Sequence, residues 1–250
     1  MTQINNYPIN FNIPKLGFQG VSAPAFPKTS FGGIKDGFVS NPLTDNFANP
    51  AQIEAEAKQN PHIQAVMKEY NLPIKVNAGE LEKLQRGHLR ETRVIAAKIY
   101  SSLPKELKEQ VDLPSLQEAA MLHDYGKILI PDEILNKKGA LTEEEKEIMR
   151  LHSELGYELL KNKGYSEKTL NLVKYHHQNQ TGTGYPAAGA DYEYGLELQI
   201  LQMADKYNAL REERSYKGAL DKEDTLATIQ SELDSDNVSQ EIFEALKKAA

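Results

Sequence analysis

The chain has 250 residues, a net charge of −7 and the composition of an ordinary globular protein, with 40% hydrophobic and 26% charged residues. This acidic balance, without any cluster of Lys and Arg, argues against duplex DNA or RNA as a main partner. The absence of cysteine excludes disulfides, thiolate metal sites and a cysteine nucleophile. No apolar run of about 18 residues and no basic-then-apolar start is found, which predicts no membrane span, no secretory signal and a cytoplasmic location.

The first 50 residues differ in composition from the rest. They hold six of the twelve prolines, six of the seven phenylalanines and only five charged side chains. With so many Pro and Gly residues, this stretch shows neither a helical nor an alternating hydrophobic period. We therefore predict a disordered or loosely docked arm over residues 1–50 and a helical domain over residues 51–250. Two interpretations of the arm stay open, a plain tail or an arm whose Phe rings bind this domain or a protein partner.

From Pro50 onward the pattern is helical almost throughout, and no run is typical of a strand. The fold class predicted is all-α, a compact bundle of about eight or more helices with a mostly irregular N-terminal arm. Ser115 is expected to cap one helix, and Thr142 with Glu145 to form a capping box. The predicted helices cover, approximately, residues 51–59, 62–70, 79–102, 113–122, 143–161, 166–176, 196–212, 221–233 and 239 onward.

Histidines and aspartates recur on the inward faces or at the ends of five of these helices. His152 shares a helical stripe with apolar core positions, and Asp205 does the same in a later helix. A buried His or Asp costs several kcal/mol unless it is paired or bound to a metal, so these groups require a common compensating charge. His62 falls outside the pattern and is expected on the surface. The candidate residues are His88, His123, Asp124, His152, His176, His177 and Asp205.

A metal site supplies that compensating charge. Imidazoles and carboxylates without thiolates suit divalent Fe or Mn best, with Zn, Co, Ni or Mg as alternatives, and they do not suit a structural zinc clamp. Seven side chains exceed what one ion needs, whereas two six-coordinate ions offer roughly twelve positions. If Asp124 bridges both ions, the protein fills about eight of those positions. The open positions that remain are typical of a catalytic site.

Five stretches of sequence surround these residues, over about residues 80–235. They resemble the HD-domain superfamily of metal-dependent phosphohydrolases, named after a His-Asp pair, and within it the HD-GYP subfamily, which hydrolyses cyclic di-GMP. The resemblance implies an HD-domain bundle, metal ligation by all seven candidates and a cyclic dinucleotide as substrate. The stretches are His123–Lys127, Ile130–Leu135, His176–His177 with Gly182–Pro186, Ala204–Leu210 and Arg214–Leu220.

The resemblance also implies roles for residues that are not ligands. Lys127 matches the family lysine beside the scissile phosphate. Tyr185, Arg214 and Lys217 match positions that contact the dinucleotide, and Gly184 is expected to let the backbone approach it closely. A hydroxide bridging the two ions would attack phosphorus and open cyclic di-GMP to the linear dinucleotide, GMP or both.

Several positions depart from the family pattern. Many members carry a Glu four residues before the first His, where it holds a third metal; here Leu84 occupies that position, so two ions are expected. Gln178, Thr181, Asn208 and Ser215 also replace residues that are usual in the family. Two alternative functions therefore stay open, an HD phosphohydrolase that acts on another nucleotide and a non-catalytic cyclic-dinucleotide receptor.

Overall fold

Helices make up almost all of the secondary structure in the computed structural model, which describes residues 49–212, 218–236 and 239–250. Within those ranges the one extended pairing is an isolated antiparallel bridge between His177 and Tyr185. The all-α prediction is confirmed. No helix in the described part of the chain is long and apolar enough to cross a membrane. The predicted arm, apart from its last two residues, lies outside the described residues.

Twelve α-helices and one 3₁₀ helix are present in the described ranges. The predicted helices, except the one over residues 79–102, are found within a few residues of their expected ends. The short helices α5 and α7 and the 3₁₀ helix were not predicted. The bounds are α1 Pro50–Gln59, α2 Pro61–Glu69, α3 Ala78–Arg86, α4 His88–Ser102, α5 Lys105–Lys108, α6 Leu113–Leu122, the 3₁₀ helix Tyr125–Leu129, α7 Asp132–Leu135, α8 Glu143–Leu160, α9 Glu167–Tyr175, α10 Leu196–Arg211, α11 Lys222–Asp236 and α12 Gln240–Ala249.

Side-chain caps mark where α6 and α8 begin. The Thr142 hydroxyl accepts a hydrogen bond from the backbone of Glu145 at 3.2 Å, and the Glu145 carboxylate accepts one from the backbone of Thr142 at 2.7 Å, so the predicted capping box opens α8. The prediction that Ser115 caps α6 is wrong. Asp112 is the cap, since its carboxylate accepts the Ser115 backbone N–H at 3.2 Å and stands directly before the first helical residue.

The helix predicted over residues 79–102 is two helices, α3 and α4. They meet at Gly87, whose φ of −133° and ψ of −100° leave the helical region. Glycine lowers the cost of that departure, because it gains least from staying helical. The break leaves Leu81 and Leu84 buried on α3 and makes His88 the first residue of α4.

The core is organised around α4. This helix packs against α6, α10 and α12, and its residues Leu89, Ala96 and Ile99 are fully buried. On the other side of α6, α9 packs against both α6 and α8, and α8 packs against the 3₁₀ helix. This packing brings the predicted polar residues together. They lie at the C-terminal ends of α6 and α9, at the start of α4 and in the middles of α8 and α10.

Candidate metal centre

The structure brings all seven predicted ligand residues into one place. His123 and His176 end α6 and α9, and His88 begins α4. The ligand atoms fall into two groups, each with its atoms within 4.8 Å of one another. One group is Asp124, His152, His176 and His177, and the other is His88, His123 and Asp205.

Asp124 is buried between the two groups and faces both. Its Oδ1 lies 3.4 Å from His152 Nε2 and 3.9 Å from His176 Nε2. Its Oδ2 lies 3.5 Å from His123 Nε2 and 3.9 Å from His88 Nε2. Because each oxygen is directed to a different group, the carboxylate has the placement that a ligand shared by two ions requires.

Backbone carbonyls fix the ring orientation of three histidines. Nδ1 of His123, His152 and His176 lies 3.1, 2.7 and 2.7 Å from the carbonyl oxygen three residues earlier in the chain. A carbonyl oxygen only accepts hydrogen bonds, so each Nδ1 carries the ring proton. With its proton on Nδ1, each ring directs Nε2 into the centre, as a metal-ligating histidine does.

The facing nitrogens show that the donor set fits a metal ion. Nε2 of His152 and Nε2 of His176 are 3.1 Å apart, and Nε2 of His123 is buried without a hydrogen-bond partner. Burial lowers the pKa of His152 to about 3 and that of His176 well below its ordinary value, so neither ring gains a second proton at neutral pH. Two lone pairs at this distance repel each other unless a cation lies between them. Imidazoles and carboxylates suit divalent metals.

The two aspartates supply negative charge to the same centre. Burial by itself would raise their pKa values, but nearby cationic groups outweigh it. For Asp124 the charge of Lys127, 2.6 Å from Oδ2, holds the pKa well below its ordinary value. The rings of His123, whose Nε2 lies 3.5 Å from Oδ1, and of His88, whose Nε2 lies 2.9 Å from it, hold the pKa of Asp205 well below its ordinary value. Both carboxylates are therefore ionised at neutral pH.

Gly126 explains the spacing between Asp124 and Lys127. A Cβ at this position would stand 1.9 Å from the His152 carbonyl oxygen and 2.5 Å from the Gly156 backbone nitrogen. Only glycine therefore lets the 3₁₀ helix lie against α8 at this distance. Lys127 follows on the same 3₁₀ helix, and its side chain is one quarter exposed, so its ammonium reaches both the centre and solvent.

A short loop after α9 forms a second wall of the centre. The buried amide of Gln178 accepts the Gly184 backbone N–H at 2.6 Å and donates to the Pro186 carbonyl at 2.8 Å. A Cβ on Gly184 would stand 2.2 Å from the His177 carbonyl oxygen, so glycine is needed here for packing within the chain. The predicted close approach of Gly184 to the dinucleotide stays a prediction. The Tyr185 ring stacks on the His177 ring, with centroids 4.7 Å apart.

A family model for the HD domain matches residues 77–240. The chain belongs to the HD domain family. The matched range contains both ligand groups, and the resemblance recognised in the sequence is confirmed. The Leu84 side chain, at the position where many members have Glu, is buried in the apolar core of this HD domain and offers no ligand.

Three curated relatives are similar to parts of this chain. A cyclic di-GMP phosphodiesterase of Thermotoga maritima is 36% identical over 56% of this chain and 38% of its own length. The cyclic di-GMP phosphodiesterase response regulator RpfG of Xanthomonas campestris is 41% identical over 42% of this chain and 28% of its own length. The 3′3′-cGAMP-specific phosphodiesterase 3 of Vibrio cholerae is 34% identical over 54% of this chain and 29% of its own length. The chain thus matches well under half of each relative.

Two charged residues near the metal centre of this HD domain were not predicted from the sequence. The guanidinium of Arg150 lies over the Tyr185 ring, 5.5 Å from its centroid. It is two residues before His152, which is not a same-face helical spacing, so periodicity gave no signal. Glu212 Oε2 lies 3.3 Å from His88 Nδ1. Its place one turn beyond the Asp205 stripe was the available signal, although it looked like an ordinary helix end.

The predicted substrate contacts are only partly described. Tyr185 and Gly184 lie at the centre, whereas Arg214 and Lys217 fall within residues 213–217, outside the described residues, and stay predictions. His62 is exposed, as expected, and its Nε2 lies 2.6 Å from a Glu154 carboxylate oxygen.

The buried histidines predict a pH-dependent stability of the metal-free HD domain. Burial lowers the pKa of His152 to about 3, that of His177 to about 4 and that of His176 well below its ordinary value. Between pH 6.5 and about 4, the unfolded chain takes up protons at these rings and the native protein does not. The free energy of unfolding should therefore fall on acidification, by up to about 1.4 kcal/mol per pH unit for each ring.

His88 does not oppose this trend. Burial alone would lower the pKa of His88, but hydrogen bonds to two carboxylates raise it to about 9. Its contribution to the free energy of unfolding is therefore fully present below pH 6.5 and is lost only as the pH rises through 9. Urea unfolding in the presence of a chelator at pH 6.5, 5.5 and 4.5 measures the effect. An unchanged free energy of unfolding across that range would contradict the assignment of buried, neutral rings.

Proposed function

We propose that this HD domain is a metal-dependent phosphodiesterase that hydrolyses cyclic dinucleotides, with cyclic di-GMP as the preferred substrate. The observation that carries the proposal is the position of Asp124, whose two oxygens face two separate ligand groups. The names of the curated relatives support the substrate class. A centre that holds two metal ions is suited to the hydrolysis of a phosphate diester.

The seven side chains of the two groups are the proposed ligands of two divalent metal ions, for which Fe or Mn is preferred. His152, His176 and His177 would hold one ion, and His88, His123 and Asp205 the other. Asp124 would be shared between them. When bound, the two ions supply a hydroxide nucleophile at neutral pH and offset the negative charge of the phosphoryl oxygens.

Lys127 is the proposed catalytic cation of the chain itself. Its ammonium is paired with Asp124 and is partly exposed, so a phosphate that reaches Asp124 from solvent would meet it. As an oxygen–phosphorus bond forms on one side and the bond from phosphorus to the 3′ oxygen breaks on the other, Lys127 Nζ can donate a proton to the leaving oxygen. The products are a 3′ hydroxyl and a new phosphate monoester.

The loop after α9 is the proposed binding wall for the dinucleotide. Tyr185 stands beside the centre, stacked on the His177 ring, and the Gly184 backbone is held in place by the Gln178 amide. The resemblance adds Arg214 and Lys217 as contacts to the cyclic dinucleotide. A ring with two phosphates needs such cations, because the metal centre takes only one phosphate.

A substrate panel tests the proposed function. Metal-stripped protein is reloaded with Mn²⁺ or Fe²⁺ and incubated with cyclic di-GMP, 3′3′-cGAMP, deoxynucleotides and an alarmone, and the products are separated by chromatography. The proposal expects cyclic di-GMP to be opened to the linear dinucleotide or GMP faster than the others. Cyclic dinucleotides that are bound tightly and stay intact would favour the receptor, and turnover of another nucleotide alone would favour a different phosphohydrolase.

Arg150 should contribute to substrate binding. Its guanidinium lies over the Tyr185 ring at the edge of the centre, and its exposed pair with Glu147 on the same helix is a weak one that a phosphate can replace. Arg150→Ala should raise the KM for cyclic di-GMP about tenfold, the value of one charged hydrogen bond, and leave kcat within about threefold.

The matched control for this prediction is Lys146→Ala. Lys146 forms a similar exposed pair with Glu143 one turn earlier on α8. Steady-state kinetics of both variants, at one metal concentration, measures the difference. An equal KM for wild type and Arg150→Ala would show that Arg150 only packs on the tyrosine.

A further inference from the structure

His88 is oriented differently from its partner histidines. His123, His152 and His176 are each held by the backbone carbonyl three residues earlier. His88 is the first residue of α4 and follows the break at Gly87, so no earlier turn of its own helix offers such a carbonyl. The side chains that face its Nδ1 come from α10 and from the residue that follows its C-terminal end.

Asn208 lies beside His88 Nδ1, but it donates its amide hydrogens to other groups. Its side-chain nitrogen is 3.0 Å from His88 Nδ1, 2.9 Å from the His88 carbonyl oxygen and 3.0 Å from Thr92 Oγ1. An amide nitrogen has two hydrogens to donate, and the carbonyl and the hydroxyl accept both. Asn208 therefore ties α10 to α4 and brings no negative charge to the imidazole.

Glu212 brings that charge. Its Oε2 lies 3.3 Å from His88 Nδ1, on the side of the ring away from Asp205, which lies 2.9 Å from Nε2. The Glu212 backbone N–H donates to the Asn208 carbonyl at 3.0 Å, so the two residues share one face of the end of α10. A hydrogen bond from Leu220 to the Leu210 carbonyl, also 3.0 Å, holds this end of the helix in place.

We propose that Glu212 is the positioning residue of His88. Its carboxylate accepts the Nδ1–H of the imidazole, which leaves the lone pair of Nε2 directed at the group formed with His123 and Asp205. This inference rests on the proposed function only insofar as that group holds a metal ion. A carboxylate behind a ligating histidine fixes the tautomer and raises the basicity of the ligand, and its loss weakens metal binding about 10- to 100-fold.

Metal titration of the full chain tests the role of Glu212. Metal-stripped wild type, Glu212→Ala and Glu212→Gln are titrated with Mn²⁺ in a calorimeter, which measures binding without turnover. One of the two equivalents should bind about 10- to 100-fold more weakly in Glu212→Ala, and less so in Glu212→Gln, because an amide oxygen still accepts from Nδ1–H. The control is Glu91→Ala, which removes an exposed carboxylate from the first turn of α4 and should bind as wild type does.

A rescue variant separates positioning from packing. Asn208→Asp added to Glu212→Ala places a carboxylate beside Nδ1, and should restore most of the lost affinity even though it removes two amide hydrogen bonds. Wild-type affinity in Glu212→Ala, or a folded double variant no tighter than the single one, overturns the proposal. Should the double variant not fold by circular dichroism, equal affinities of the Ala and Gln variants overturn it instead. Failure to hydrolyse cyclic di-GMP leaves this titration intact.

Discussion

Asp124→Asn is expected to lower the kcat for cyclic di-GMP about a thousandfold or more and to reduce bound metal below two equivalents. The asparagine keeps the shape of the side chain but has one oxygen instead of two, so it cannot face both ligand groups. It also removes the charge that Lys127 neutralises at 2.6 Å. Groups that act as one unit lose most of their effect when one member is changed.

Steady-state kinetics and metal analysis by mass spectrometry measure this effect on the same samples. The matched control is Asp132→Asn at the start of α7, where an exposed carboxylate accepts hydrogen bonds from Asn77 and Asn136. That variant should keep its metal and its activity. Two equivalents of metal and near wild-type turnover in Asp124→Asn would mean that the carboxylate is not shared between ions.

Gly126→Ala is expected to destabilise the fold by roughly 3 kcal/mol or more. The added Cβ would collide with the backbone of α8, at 1.9 Å from the His152 carbonyl oxygen. Backbone atoms cannot rotate away as a side chain does, so the 3₁₀ helix must move off α8. Asp124 and Lys127 flank this position, and the centre should therefore lose metal affinity together with stability.

Urea unfolding and metal titration check the two parts of this prediction. Gly79→Ala is the control, because Gly79 lies in the first turn of α3 and its Cβ would meet only Asn77 Oδ1 at 3.4 Å, an ordinary contact. Alanine is the better helix former, so this variant should change stability by less than about 1 kcal/mol. A Gly126→Ala protein as stable as wild type would show that the 3₁₀ helix does not need its close contact with α8.

The helices, and candidate ligands within them such as His152 and Asp205, could be predicted from sequence because they leave periodic signals, whereas the candidates at helix ends depended on the family resemblance. Helix α8 carries His152 on its apolar stripe between Leu151 and Leu155, and its capping box marks where it begins. Polar residues in an apolar period are unusual enough to require an explanation. That requirement, rather than any single histidine, indicated a metal centre.

The parts that could not be predicted depend on contacts between distant segments. The helix break at Gly87 looked like a tolerated glycine, since a single glycine costs an isolated helix only about 1 kcal/mol. The division into two ligand groups depends on how α4, α8, α9 and α10 pack. Arg150 and Glu212 approach Tyr185 and His88 across the fold, and charged residues near helix surfaces give no period that distinguishes them from solvent-facing ones.

The count of metal ions in the wild-type protein tests the central claim most directly. The 250-residue chain is stripped with a chelator, reloaded with Mn²⁺, desalted and analysed for metal per chain by mass spectrometry, with His123→Ala as the control for the site. We expect two equivalents in wild type and a loss of metal in the control. A stoichiometry of one or none in folded wild type, or two equivalents retained by His123→Ala, would contradict the two-metal centre.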